Sequence, residues 1–137
     1  MELSPLITKF VKFGIVGFSG FVIHGGLLYL LRDVVGINQF VANIIGFVAA
    51  ATSNYFLNRW WTFRSHEKQM ALEYLKFFIV SVIGLGINSG TLWLQSLLLP
   101  EWSIEGDPRF YILWIVAVGV TTLWNFFGNM LFTFKQK

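Results

Sequence analysis

The chain has 137 residues, of which 55% are hydrophobic and 12% charged, against about 25% charged in an ordinary soluble domain. With aromatic residues at 18% and a mean hydropathy of +0.65, too little polar surface is available to clothe a water-soluble particle, and the composition reads as an integral membrane protein. The formal charge of +3 is read as topology information and not as a nucleic-acid footprint, while the absence of Cys excludes disulfides, thiolate metal sites and a cysteine nucleophile.

A membrane-crossing helix needs about 20 largely apolar residues. Four stretches meet that length: about Phe13 to Leu31, Phe40 to Leu57, Phe77 to Leu99 and Phe110 to Phe132. The first is long for a signal-peptide core and no small-x-small site ends it before Arg32, so it is read as a span. The connections carry Arg32, Asp33, Gly36 and Asn38, then Arg64 through Lys68, then Pro100, Glu101, Glu105, Gly106, Asp107 and Pro108. The predicted fold is an all-α integral membrane domain of four transmembrane helices over residues 1–137.

Lys and Arg are retained in the cytoplasm during insertion. Lys9, Lys12, Arg59, Arg64, Lys68, Lys76, Lys135 and Lys137 fall on one side, whereas Arg32 and Arg109 fall on the other. The expectation is a multi-pass protein of the inner (cytoplasmic) membrane with both termini cytoplasmic.

The sequence repeats itself. A shift of 64 lays Lys12-Phe13-Gly14-Ile15-Val16 on Lys76-Phe77-Phe78-Ile79-Val80, and 9 of the 19 positions from 12 to 30 are identical. A shift of 71 lays Asn54-Tyr55-Phe56-Leu57-Asn58 on Asn125-Phe126-Phe127-Gly128-Asn129, with Thr62-Phe63-Arg64 on Thr133-Phe134-Lys135. Two similar apolar helices would not by chance place two asparagines four apart and a Thr-Phe-basic ending twice. The four helices are therefore expected as two parallel two-helix repeats, about 9–64 and 73–135, related by an axis along the membrane normal.

Helical spacing puts Asn43, Phe47, Ala50, Asn54 and Asn58 on one face of the second helix, and Val118, Thr121, Thr122, Asn125 and Asn129 on one face of the fourth. Carboxamides donate and accept, so Asn54, Asn58, Asn125 and Asn129 suit a ligand rich in phosphate and hydroxyl oxygens. Arg59 has two readings: snorkelling to lipid phosphates, or a bidentate clamp on a ligand phosphate. Lys12 and Lys76, at equivalent helix starts, have the same two, anchoring being the simpler. No Asp or Glu lies within the four expected spans, which leaves a proton-coupled carrier without a relay. A Gly-rich nucleotide-phosphate loop, an HExxH motif and a Ser-His-acid set are all missing. Catalysis is disfavoured, and neither cofactor nor metal is expected.

Phe10-Val11-Lys12-Phe13-Gly14-Ile15-Val16-Gly17, Ala42-Asn43-Ile44-Ile45-Gly46-Phe47 and above all Asn54-Tyr55-Phe56-Leu57-Asn58-Arg59-Trp60-Trp61-Thr62-Phe63 carry a family resemblance, echoed by Asn125 through Phe134. From about Leu6 to Lys135 the chain resembles the GtrA-like family of small four-helix membrane proteins associated with cell-surface polysaccharide and teichoic acid glycosylation. The resemblance implies moving or supplying a polyprenyl-phosphate-linked sugar, such as one on undecaprenyl phosphate, from the cytoplasmic to the outer leaflet, where a separate glycosyltransferase consumes it. On that basis Arg59 counters the phosphate charge, with Lys12 and Lys76 nearby, and the four asparagines bond the oxygens. Met130 stands where the first repeat has Arg59, so the clamp would be asymmetric. Four helices barely enclose a sugar, which points to a homo-oligomer. The partners expected are the sugar lipid, membrane lipids and a glycosyltransferase, with no nucleic acid. The rival reading is a non-transporting adaptor that positions that glycosyltransferase.

Overall fold

The computed structural model describes residues 3–104 and 106–135; Glu105 and Lys137, which entered the charge reading, lie outside the described residues. Four helices form: α1 Leu3–Tyr29, α2 Gln39–Leu57, α3 Met70–Leu98 and α4 Phe110–Gly128. With their continuing turns all four are long and apolar enough to cross a membrane. Two helices begin earlier than expected, α1 at Leu3 and not Phe13, α3 at Met70 and not Phe77. A search for apolar runs stops at Lys9, Lys12, Glu73 and Lys76, whereas Lys and Glu are good helix formers and let the helix continue out of the oil. At about 1.5 Å per residue, α1 and α3 reach about 40 Å, longer than a hydrocarbon core of about 30 Å.

The described residues fall into two compact units, the first ending at Tyr74 and the second spanning Leu75–Lys135. In the first, α1 and α2 pack antiparallel. Phe13 meets Phe63 edge-on at 6.3 Å, Gly20 lies against Asn54, and His24 Nε2 bonds Asn43 Oδ1 at 2.8 Å. The unit therefore enters and leaves at the same end. The turn between the helices uses Gly36 at φ 86° and the Asn38 side chain, which accepts from the Phe40 amide and caps α2.

In the second unit Phe77 packs against Phe134 at 6.2 Å, Trp124 Nε1 donates to the Val80 carbonyl at 3.0 Å, and Gly84 lies against Asn125. The buried positions correspond at the shifts read from the sequence: Phe13, Val16 and Gly20 with Phe77, Val80 and Gly84; Ala42, Gly46 and Tyr55 with Leu113, Ala117 and Phe126. Phe18, Phe21, Phe40, Trp93 and Leu98 point outward, as expected where the solvent is lipid. The hydroxyls of Thr52, Ser81, Thr91, Thr121 and Thr122 donate to the carbonyl four residues earlier, so these side chains satisfy their own donors. In the connection before α4, the Arg109 guanidinium grips Asp107 and holds its carboxyl below the usual carboxylate range.

Candidate functional site

Both second helices of the pairs end in the same rare local structure. The α-helical ladder widens into a π turn at Asn58–Thr62 and again at Asn129–Thr133. Phe63 N–H reaches the Asn58 carbonyl at 2.8 Å, and Phe134 N–H reaches that of Asn129 at 2.7 Å. Such turns cluster at functional positions because they re-aim the chain. A side-chain bond inside each turn holds it: Thr62 Oγ1 donates to Asn58 Oδ1 at 2.8 Å, and Thr133 Oγ1 to Asn129 Oδ1 at 2.7 Å. Asn58 and Asn129 are buried, 2% and 1% exposed. Asn129 also donates from Nδ2 to the Asn125 carbonyl.

Of the four asparagines singled out by sequence, these two are thus engaged in the chain's own turns. We expect Thr62→Val to cost about 1 kcal/mol by stranding a buried acceptor. Thr133→Val should cost the same, which unfolding titrations in mixed micelles would measure; a large difference would break the equivalence.

Asn54 and Asn125 are different. Each directs its amide oxygen at the place where a side chain on Gly20 or Gly84 would begin. These two oxygens are buried and have no hydrogen-bond partner among the described residues. Packed at a glycine, each oxygen keeps its acceptor capacity. Lys12 and Lys76 lean on aromatic rings at equivalent places, Nζ lying 5.3 Å from the Trp61 centroid and 5.5 Å from that of Phe132. Both therefore mark the same end of their units.

Arg59 is the least symmetric of the predicted residues. It is 8% exposed, and its Nη1 donates to Glu73 Oε1 at 2.5 Å while Nη2 donates to the Glu67 carbonyl at 2.6 Å. Glu73, 3% exposed, also accepts from the Tyr55 hydroxyl at 2.9 Å and, on Oε2, from Ser65 Oγ at 2.5 Å. The expectation that no acid lies within a span rests on a third helix starting at Phe77, and the helix instead starts ahead of Glu73. The span containing α3 starts at Met70, so Glu73 falls in its first turn, buried against the end of α2. Glu73 is the residue the sequence reading missed. One signal pointed to it: Tyr55 and Arg59, four apart near the end of α2, stand where α4 has Phe126 and Met130, and this joint difference marks a polar interaction made at the end of α2 and not by those two positions of α4.

Arg59 also faces an open cleft of about 660 Å³, lined further by Trp60, Arg64, Ser65, His66 and Lys68. Arg64 closes the helical run in a left-handed conformation, φ 48°, which is uncommon for a residue with a side chain. Discounting the Arg59–Glu73 pair as neutral, Arg64 and Lys68 against Glu67 leave the mouth of the cleft cationic. The volume lies within the range of sites that take drug-sized ligands, about 300–1,000 Å³. Forked guanidinium donors and a flexible ammonium around such an opening suit a singly or doubly charged phosphate carrying a polar substituent.

Residues 12–134 match the model of the family described as GtrA/DPMS, transmembrane domain. A curated relative, a dolichol-phosphate mannosyltransferase of Pyrococcus furiosus, is 33% identical over 95 residues, covering 69% of this chain and 27% of its own length. The chain thus spans about a quarter of that relative. With the match running through all four helices and both asparagine-bearing turns, the chain belongs to the GtrA/DPMS transmembrane domain family.

Proposed function

We propose that the protein carries a polyprenyl-phosphate-linked sugar from the cytoplasmic to the outer leaflet of the cytoplasmic membrane, supplying cell-surface glycosylation. The observation that carries this reading is the cationic cleft at the end of α2, where Arg59, Arg64 and Lys68 converge on one opening. The relative named for dolichol phosphate and mannose supports a ligand of the same chemistry. The basic excess puts the cleft and both termini in the cytoplasm, so the phosphate meets the protein on the side where such lipids are charged with sugar.

In this reading Arg59, Arg64 and Lys68 hold the phosphate, and Lys12 and Lys76 add positive charge near the starts of α1 and α3, each in its own unit. Asn54 and Asn125, each in its own unit, keep a buried amide oxygen without a hydrogen-bond partner among the described residues, an acceptor that a sugar hydroxyl would reach once the helices part at Gly20 or Gly84. Asn58 and Asn129 hold the turns. The prenyl tail stays in lipid while the head group crosses. A monoanion leaving an inside-negative compartment gains about 2.3 kcal/mol per 100 mV, so no fuel site is required. Assembly of several copies completes the enclosure. The two units are duplicated helix pairs, a reading supported by the recurrence of Gly20–Asn54 as Gly84–Asn125 and of Thr62–Asn58 as Thr133–Asn129.

A second reading is favoured by the matched region being 27% of a transferase: a membrane adaptor that positions a polyprenyl-phosphate glycosyltransferase without moving lipid. Proteoliposomes loaded with a labelled polyprenyl-phosphate sugar separate the two. Transport predicts time-dependent loss of label from the inner leaflet, slowed at least about tenfold in Arg64→Gln/Lys68→Gln through loss of two phosphate contacts. An unchanged rate in that variant contradicts the cleft. No movement in the wild type, together with transferase capture that charge reversal at Lys68 abolishes, establishes the adaptor.

A further inference from the structure

We propose that Glu73 is a built-in competitor for the lipid phosphate: its carboxylate occupies the Arg59 guanidinium at rest and is displaced when a phosphate enters the cleft. The inference rests on the preceding reading of the cleft as a phosphate site, and it assigns Glu73 the role of a positioning residue that sets affinity through Arg59.

The arrangement has three parts. Arg59 is shared between two environments, because its guanidinium bonds the buried Glu73 while the residue also lines the open cleft. It donates once from each Nη and also meets the Tyr55 hydroxyl, and further N–H donors of the five remain for an incoming oxyanion. Separating a buried ion pair is ordinarily costly because the abandoned charge is left without partners. Here the carboxylate would keep two hydroxyl donors, Tyr55 on Oε1 and Ser65 on Oε2, after Arg59 turned to a phosphate. The guanidinium in turn would exchange one oxyanion for another.

The surroundings say that this cluster is not simply packing. The positions equivalent to Tyr55 and Arg59 in the second unit are Phe126 and Met130, so that helix end has neither the hydroxyl nor the guanidinium that hold Glu73. The ion pair is therefore an addition specific to the end of α2 that borders the cleft. Its consequence is specificity. A net-neutral Arg–Glu pair offers little to a neutral head group, whereas an anion able to replace the carboxylate gains the full fork. A resting counter-ion also keeps the guanidinium from holding its passenger too firmly for release.

The test measures binding of farnesyl phosphate, farnesol and inorganic phosphate to the purified full chain in detergent. Glu73→Gln keeps the shape and an oxygen acceptor but removes the competing charge, and it should bind farnesyl phosphate about tenfold more tightly. Tighter binding is an outcome that a merely damaged fold would not give. Farnesol binding should stay at the wild-type level, and inorganic phosphate should gain in parallel at much weaker affinity. In Arg59→Met/Glu73→Gln, which gives position 59 the residue type of the equivalent Met130, the gain should vanish.

Tyr55→Phe, also copied from the second unit, removes a hydroxyl that steadies the displaced carboxylate and should weaken farnesyl phosphate binding several-fold. It decides the matter if Glu73→Gln does not fold. Affinity unchanged in a folded Glu73→Gln, or in Tyr55→Phe, overturns the inference while leaving the phosphate site standing. A gain that persists in the double variant also overturns it. Wild-type binding of farnesyl phosphate no better than farnesol, with no gain in Glu73→Gln, overturns the inference together with the phosphate site.

Discussion

Arg59→Ala is expected to lower the unfolding free energy by about 3 kcal/mol, the low end of the range for removing one member of a buried ion pair. The low end applies because Tyr55 and Ser65 continue to donate to Glu73. The loss has two sources, the uncompensated carboxylate and the released Glu67 carbonyl that Arg59 Nη2 now bonds. Replacing both charges, as Arg59→Met/Glu73→Gln, should cost far less than Arg59→Ala alone, since Met130 occupies the equivalent position of the second unit. A double-mutant cycle by steric trapping or SDS titration gives the coupling directly. If Arg59→Ala proves as stable as the wild type, the pair is not the closure of this helix end that its burial suggests.

Gly20→Val should be comparably damaging for a different reason. A Cβ at Gly20 would fall on the Asn54 amide, with Asn54 Cγ at 2.8 Å, and the atoms in the way belong to a short, partly buried side chain. Overpacking of this kind costs about 1–3 kcal/mol, and a β-branched side chain restricted at χ1 puts the change at the upper end. Gly84→Val meets Asn125 Cγ at 3.1 Å and should behave alike. By contrast Gly25→Val and Gly86→Val, where a Cβ meets nothing within 4 Å, should be near neutral apart from helix propensity. Thermal unfolding in detergent orders the four variants, and equal effects at Gly20 and Gly25 would refute the close approach.

Which parts of this were legible in the sequence follows from what each depends on. Spans depend on composition over about 20 residues, and all four were found. Helix starts depend on where backbone hydrogen bonding ceases, which charge does not mark, so the first turns of α1 and α3 were missed. That omission hid Glu73, because a carboxylate placed in a loop is assumed to be solvated. Helical spacing puts the asparagines on strips, but periodicity gives direction and not partner. It could not show that Asn58 and Asn129 spend their oxygens on a threonine four residues on, or that Asn54 and Asn125 meet a glycine on the neighbouring helix. The duplicated Asn-x₃-Asn-x₃-Thr-Phe spacing held that information, since a threonine one turn beyond an asparagine can donate back to it. The π turns themselves had no readable sign, since a third, Leu30–Val35, forms without any such asparagine–threonine pair.

The most direct test of the account is to determine the structure with a polyprenyl phosphate sugar present and to locate the phosphate. Density for it among Arg59, Arg64 and Lys68, with the guanidinium of Arg59 turned from Glu73 toward the cleft, is the predicted result. A phosphate seated elsewhere on the molecule, with the cleft side chains unmoved and the Arg59–Glu73 pair intact, would contradict it.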